Sequence, residues 1–217
     1  MNRYLIITAA LLIAISCNRI KITHNNQVKI IELPLQIDST YYSTLTDSFK
    51  LDEIQLVDIN YGALKPQVKM ALGINHNTFH SVLYFNGCMF VSGTSLIVHD
   101  SSGFNQICNQ QDLKNYFSPI ETKEEALSYV YAATGLSPSY NFELKSRYRT
   151  FVDTINTTYS IKSDNGFIVN LFDYQLCGCG PHTHFMIIYE VSFEGDIREL
   201  QRVDLYEDPE EEGLCVD

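Results

Sequence analysis

Tryptophan is absent from this chain of 217 residues, and bases are scarce: 15 Lys and Arg stand against 26 Asp and Glu, a formal net charge of −11. That balance excludes a nucleic-acid partner, because displacing counterions from phosphates needs a basic face. Internal repeats and low-complexity tracts are missing. So is any apolar run of the ~20 residues that a membrane-spanning helix requires. The chain has no glycine-rich phosphate loop, no paired-histidine zinc-protease helix and no serine in a Gly-x-Ser-x-Gly elbow. No catalytic residue is therefore assigned, and an enzyme is the less favoured reading.

What the chain does carry begins at its amino terminus. Met1, Asn2 and Arg3 precede a compact apolar run from Tyr4 to Ile15, ended by Ser16 and Cys17 before a polar, basic stretch from Asn18. A charged start, a short apolar core and a small residue before a cleavage point make an export signal, residues 1–16. The stretch Ala14, Ile15, Ser16, Cys17 resembles the signal peptides of bacterial lipoproteins. That resemblance implies cleavage before Cys17 and acylation of it with palmitate-type chains. It places the protein in the cell envelope, held on a bacterial membrane and facing the periplasm or the exterior. Each buried acyl methylene contributes about 0.8 kcal/mol, so several chains hold firmly. Ala14 and Ser16 also satisfy the small-x-small rule of an ordinary secretory signal, which would leave Cys17 as a thiol or disulfide partner.

The whole chain is 45% hydrophobic by composition, enough to build a core. Its 14 Tyr and 12 Phe, with many short turns, favour sheet over helix. Residues 17–27 read as a lipid-attached tether, 28–118 as a β-rich sub-region, 119–206 as a helix plus antiparallel meander and 207–217 as an acidic, solvated tail. The Ser118-Pro119 junction reads as a hinge. Strand patterns fall at 28–37, 54–59, 81–85, 88–92, 95–99 and 104–108. Asn86-Gly87 between two of them is a strong hairpin signal. A main helix at about 122–134 has Thr122 and Glu125 as its capping box, Leu127, Val130, Tyr131 and Thr134 at helical spacing, and Gly135 as its left-handed cap. A shorter helix spans 111–116. Strands follow at 147–153, 158–162, 166–176, 184–193 and 197–206. The fold class is α+β: antiparallel β-rich sheets with the main helix packed on the C-terminal meander.

One dense constellation has chemistry: Cys177, Gly178, Cys179, Gly180, Pro181, His182, Thr183, His184. In an extended chain, residues two apart share a face, so Cys177 with Cys179 and His182 with His184 offer two sulphurs and two nitrogens to zinc or copper. Against that stand the one-residue cysteine spacing and the oxidising fate of exported thiols. Disulfides among Cys88, Cys108, Cys177, Cys179 and Cys215 are the competing reading, with Cys88–Cys108 on neighbouring hairpins and Cys215 joined to Cys177 or Cys179. If Cys17 is acylated these five cannot all pair. Two functions lead, ahead of a third, a redox or hydrolytic enzyme with a reactive thiol at Cys179. One is a non-catalytic, membrane-anchored module binding an unknown protein or small-molecule ligand, without a cofactor. The other is an envelope protein binding zinc or copper through Cys177, Cys179, His182 and His184.

Overall fold

The computed structural model describes residues 21–24, 28, 30, 32–76 and 82–216. The signal peptide and Cys17 lie outside them, as does His80. In chain order the elements are β1 (Lys21–Thr23), β2 (Leu35–Gln36), α1 (Tyr42–Phe49), β3 (Glu53–Gln55), β4 (Lys69–His76), β5 (Tyr84–Asn86), β6 (Ser92–Asp100) and β7 (Gly103–Ile107). Then come α2 (Gln110–Phe117), α3 (Lys123–Thr134), β8 (Arg149–Thr150), β9 (Thr154–Asn156), β10 (Tyr159–Ser163) and β11 (Gly166–Tyr174). The chain ends with β12 (Gly178–Cys179), β13 (His184–Ser192), β14 (Ile197–Glu207) and β15 (Cys215–Val216).

Two sheets enclose α3. The first has the order β2-β4-β6-β5, with β3 also pairing β4 and β7 also pairing β6. The second is the expected antiparallel meander, β10-β11-β13-β14-β8. One hydrophobic cluster takes Met70, Leu96 and Val98 from the first sheet, Leu127, Tyr129 and Val130 from α3, and Phe167, Val169, Ile187 and Val191 from the second. Alternate residues of the first sheet, Ala71 and Ile97, face the other way and pack with Leu45 of α1. On the far face of the second sheet, Phe172, Met186 and Leu205 pack with Ile155 of β9. The order of layers is thus α1, sheet, α3, sheet, and the β1–β9 pair.

That layering accounts for the composition of α3. A surface helix buries one stripe, whereas a helix between two sheets is apolar nearly all round. Residues Glu125 to Val130, Ala132 and Ala133 are all buried. Thr122 accepts from the Glu125 amide at 3.1 Å, and Glu125 reaches back to accept from the Thr122 amide at 3.0 Å, as a capping box requires. Gly135 closes the helix at φ 69°, and a Cβ there would come within 2.5 Å of the Tyr84 ring. Glycine is therefore required both by the left-handed backbone and by the close approach.

Several expectations are corrected. Cys88 to Val91 form a loop, with β5 and β6 paired from Asn86↔Ser92, so Asn86 ends a strand and the Asn86-Gly87 pair is not a two-residue hairpin turn. Within 28–37 only Leu35–Gln36 is a described strand, and Lys29 and Ile31 lie outside the described residues. The tether reading of 17–27 includes Lys21–Thr23, which pairs in parallel with β9. Ser118-Pro119 does not separate two cores: the same cluster spans both sub-regions, and the Ile120 amide donates to the Phe193 carbonyl at 2.8 Å. The acidic tail is tied down, since Glu207 and Asp208 are buried and paired with Arg149 and Arg147.

Candidate functional site

The Cys177–His184 segment leads from β11 to β13, with the short strand β12 inside it and His184 opening β13, and its sulphurs are oxidised. Cys88 bonds Cys177, and Cys179 bonds Cys215; Cys108 is the one described cysteine left as a thiol. The Cys88–Cys108 bridge is thus corrected, whereas Cys215 does pin the tail through Cys179. The face-sharing rule for residues two apart needs regular strand. Here Gly178 at φ 99°, Gly180 at φ 136° and His182 at φ 41° turn the chain at every other step. Cys177 is thereby aimed at the loop after β5 and Cys179 at β15.

Bridged sulphurs offer no thiolate to a metal. The two histidines are engaged differently again. His182 is buried, with Nδ1 2.7 Å from the Gln175 carbonyl and Nε2 3.3 Å from the Leu214 carbonyl, so its ring braces the loop against the tail. His184 sits between two tyrosines. Among the described residues no group of three or more His, Cys, Asp or Glu side chains is placed to hold a metal ion. Cys177, Cys179, His182 and His184 therefore do not form the expected metal set in this oxidised structure. Burial chiefly, with Asp112 adding to it, pushes the Cys108 thiol up to about 11, away from nucleophilic use. Ser95 hydrogen-bonds the Gly73 carbonyl and Gln106, while His99 stacks on Phe104, so Ser95, His99 and Asp100 form no triad.

The strand ends beside this loop build a row of stacked rings. Register places Tyr174 opposite His184 and His184 opposite Tyr206 across β11, β13 and β14. Neighbouring strands lie ~4.8 Å apart, close to the stacking distance of flat rings, so planar side chains at paired positions stack along the row. Tyr174 and His184 are 5.4 Å apart between ring centres, His184 and Tyr206 4.5 Å, and Tyr148 continues the row 5.1 Å beyond Tyr206. The Arg147 guanidinium caps it 5.7 Å from the Tyr148 ring centre, held there by Asp208.

A cavity of about 260 Å³ opens beside the row. Phe142, Phe172 and Leu205 give it an apolar wall, and Ser137, Ser139, Asp173, Tyr174, His184 and Tyr206 complete the lining. Asp173 uses one carboxylate oxygen to accept from the Tyr174 amide at 2.9 Å. Among the described residues its other oxygen takes no hydrogen bond from the protein, and neither do the Ser137 hydroxyl, the Tyr174 and Tyr206 phenols or the His184 ring nitrogens. Burial lowers the His184 pKa below its usual 6.5, against the pull of Glu211, Asp208 and Asp173, so its imidazole is neutral at pH 7. A larger cleft of about 340 Å³ lies at the amino end of α3. There the capping box already fills the helix end and Lys65 is paired with Glu32.

No family model, no curated protein and no solved structure matches this chain. The site therefore stands on its own chemistry. Sequence reasoning missed Tyr174, Tyr206 and Asp173. The signal that could have found them is positional, since an aromatic ring stands at one end of each of three consecutive strands.

Proposed function

We propose that this protein is an exported, membrane-anchored lipoprotein whose folded part is a non-catalytic binding module of a bacterial envelope. Cys17 carries the lipid and the pocket beside Tyr174 carries the recognition. The observation that carries the reading is the cysteine pairing. Two bridges, Cys88–Cys177 and Cys179–Cys215, support an oxidising compartment, as export provides. They also use four of the five mature cysteines beyond Cys17 and leave only Cys108, a half-buried thiol of β7's end, without a bridge. Acylation gives Cys17 a role consistent with that parity.

The anchor would hold the domain close. Three residues stand between Cys17 and Lys21 of β1, and the four Cα steps at full extension reach roughly 14 Å. The test is the mature amino terminus itself. Expressed with its signal in a bacterium fed an alkyne-tagged fatty acid, the protein is expected to label, to sediment with membranes and to show acyl mass on Cys17. Cys17→Ala should lose all three. An unmodified terminus on a freely released protein overturns the anchor.

A further inference from the structure

The pocket beside the aromatic row has the chemistry of one class of ligand, and we propose that it binds a neutral saccharide, one pyranose ring seated on Tyr174 with its hydroxyls on Asp173, His184 and Ser137. This deepens the binding-module reading and rests on it, but does not depend on the lipid.

Three observations converge. The first is the platform. Tyr174 ends the stacked row, with one ring face against His184, and is 44% exposed. A pyranose turns a face of C–H groups towards such a ring, whose own face is electron-rich. The second is the set of polar atoms around it. One Asp173 oxygen, the Ser137 hydroxyl and the neutral His184 imidazole, none hydrogen-bonded to protein among the described residues, belong to residues that line the cavity and match the mixed donors and acceptors of adjacent sugar hydroxyls. Asp173 and Ser137 are exposed and His184 half-buried, so sugar hydroxyls would take the place of water on them. The third is charge. Among the described residues no Lys or Arg lines the cavity, and Asp173 does, so phosphates, sulfates and uronic acids are disfavoured and a neutral ring is preferred.

Size and rigidity agree with this. At about 260 Å³ the cavity lies just below the ~300–1,000 Å³ that encloses a drug-sized ligand, which suits one ring of a chain whose remainder stays in solvent. The rim is fixed before the ligand arrives. Both disulfides, the Gln175 amide on the Thr183 carbonyl at 2.8 Å and the His182 ring brace the adjoining loop. A fixed rim lowers the ordering cost of binding.

Saturation-transfer NMR on the mature, disulfide-intact protein tests it, with the β-1,4 tetramers of glucose and of N-acetylglucosamine as probes and tetragalacturonate as the anionic control. Irradiating the tyrosine rings is expected to transfer saturation to pyranose C–H protons of a neutral probe and not of the control. Tyr174→Ala should weaken binding at least tenfold, Asp173→Asn several-fold, and Tyr174→Phe little. Should Tyr174→Ala fail to fold, Asp173→Lys must abolish the signal instead. The proposal is overturned by no transfer to either neutral probe at about 10 mM. Binding that survives Tyr174→Ala in a folded protein, or tighter binding of the galacturonate, overturns it equally. Failure here in protein that carries acyl mass on Cys17 removes the saccharide and leaves the anchored module. Sugar binding by a protein without acyl mass does the reverse.

Discussion

Removing each disulfide separately should rank their contributions by the length of chain they close. Cys88–Cys177 spans 89 positions and Cys179–Cys215 spans 36. Loop-closure entropy gives about 4.6 kcal/mol for the first and about 3.8 kcal/mol for the second at ~25 °C. The paired serine variants Cys88→Ser with Cys177→Ser, and Cys179→Ser with Cys215→Ser, isolate these values. Cys177, Cys179 and Cys215 are exposed, so their serine hydroxyls stay solvated and add no buried polar group. Urea unfolding of the mature protein is the assay. Both variants should lose stability, with a larger m because the unfolded chain expands, and the Cys88–Cys177 variant should lose about 0.8 kcal/mol more. At ~2–4 °C per kcal/mol for a chain of this size, melting should fall by roughly 9–18 °C and 8–15 °C respectively. Equal losses, or a greater loss from the tail bridge, would refute chain closure as the source of the stabilisation.

Thr122→Ala should cost about 1 kcal/mol in the same assay, since it strips the cap of a helix that both sheets use; a change below ~0.3 kcal/mol contradicts that. Asp100 accepts from the Ser102 hydroxyl at 2.6 Å, the Tyr116 phenol at 2.5 Å and the Ser102 amide at 2.7 Å, which hold its pKa down at about 2. Because the folded value is depressed, its contribution is present above the ordinary value of 3.8 and is lost as pH falls from there through about 2. Carboxyl-carbon NMR should show that midpoint, and Tyr116→Phe should raise it; an ordinary midpoint in the wild type would sink the reading. Cys108, with its thiol pushed up to about 11, should resist iodoacetamide at pH 8 in the folded protein and react fully in urea. Rapid labelling of folded protein would place that thiol at the surface.

Elements whose cause is local were legible, and those whose cause is distant were not. α3 announced itself through Thr122, Glu125 and Gly135, and β6 and β7 through the strand patterns at 95–99 and 104–108. Helical spacing alone could not disclose that α3 is covered on both sides. β4, the strand at the heart of the first sheet, escaped because Lys69–His76 is buried on both faces and so lacks alternation, with Gly73 interrupting it. Asn86-Gly87 misled because the disulfide at Cys88 and the Gly87 contact with the Phe90 carbonyl favour a longer loop. The disulfide partners and the aromatic row both depend on register between strands far apart in sequence. No local pattern encodes that.

The two bridges meet at a node, Cys177-Gly178-Cys179, and this has a mechanical consequence. Tension applied between an anchored amino terminus and a load beyond Cys215 would travel to Cys88, cross to Cys177, pass Gly178, and cross again from Cys179 to Cys215. The covalent path bypasses α2, α3 and the whole second sheet, together with Tyr174, His184 and Tyr206. Those parts, with β6, β7 and β9, sit on slack chain, while β2, β3, β4 and β5 of the first sheet lie on the line of force. Pulled from both ends, the oxidised protein would lengthen only through its amino-terminal segment and keep its pocket shaped, and reduction would return the rest of the chain to the line of force.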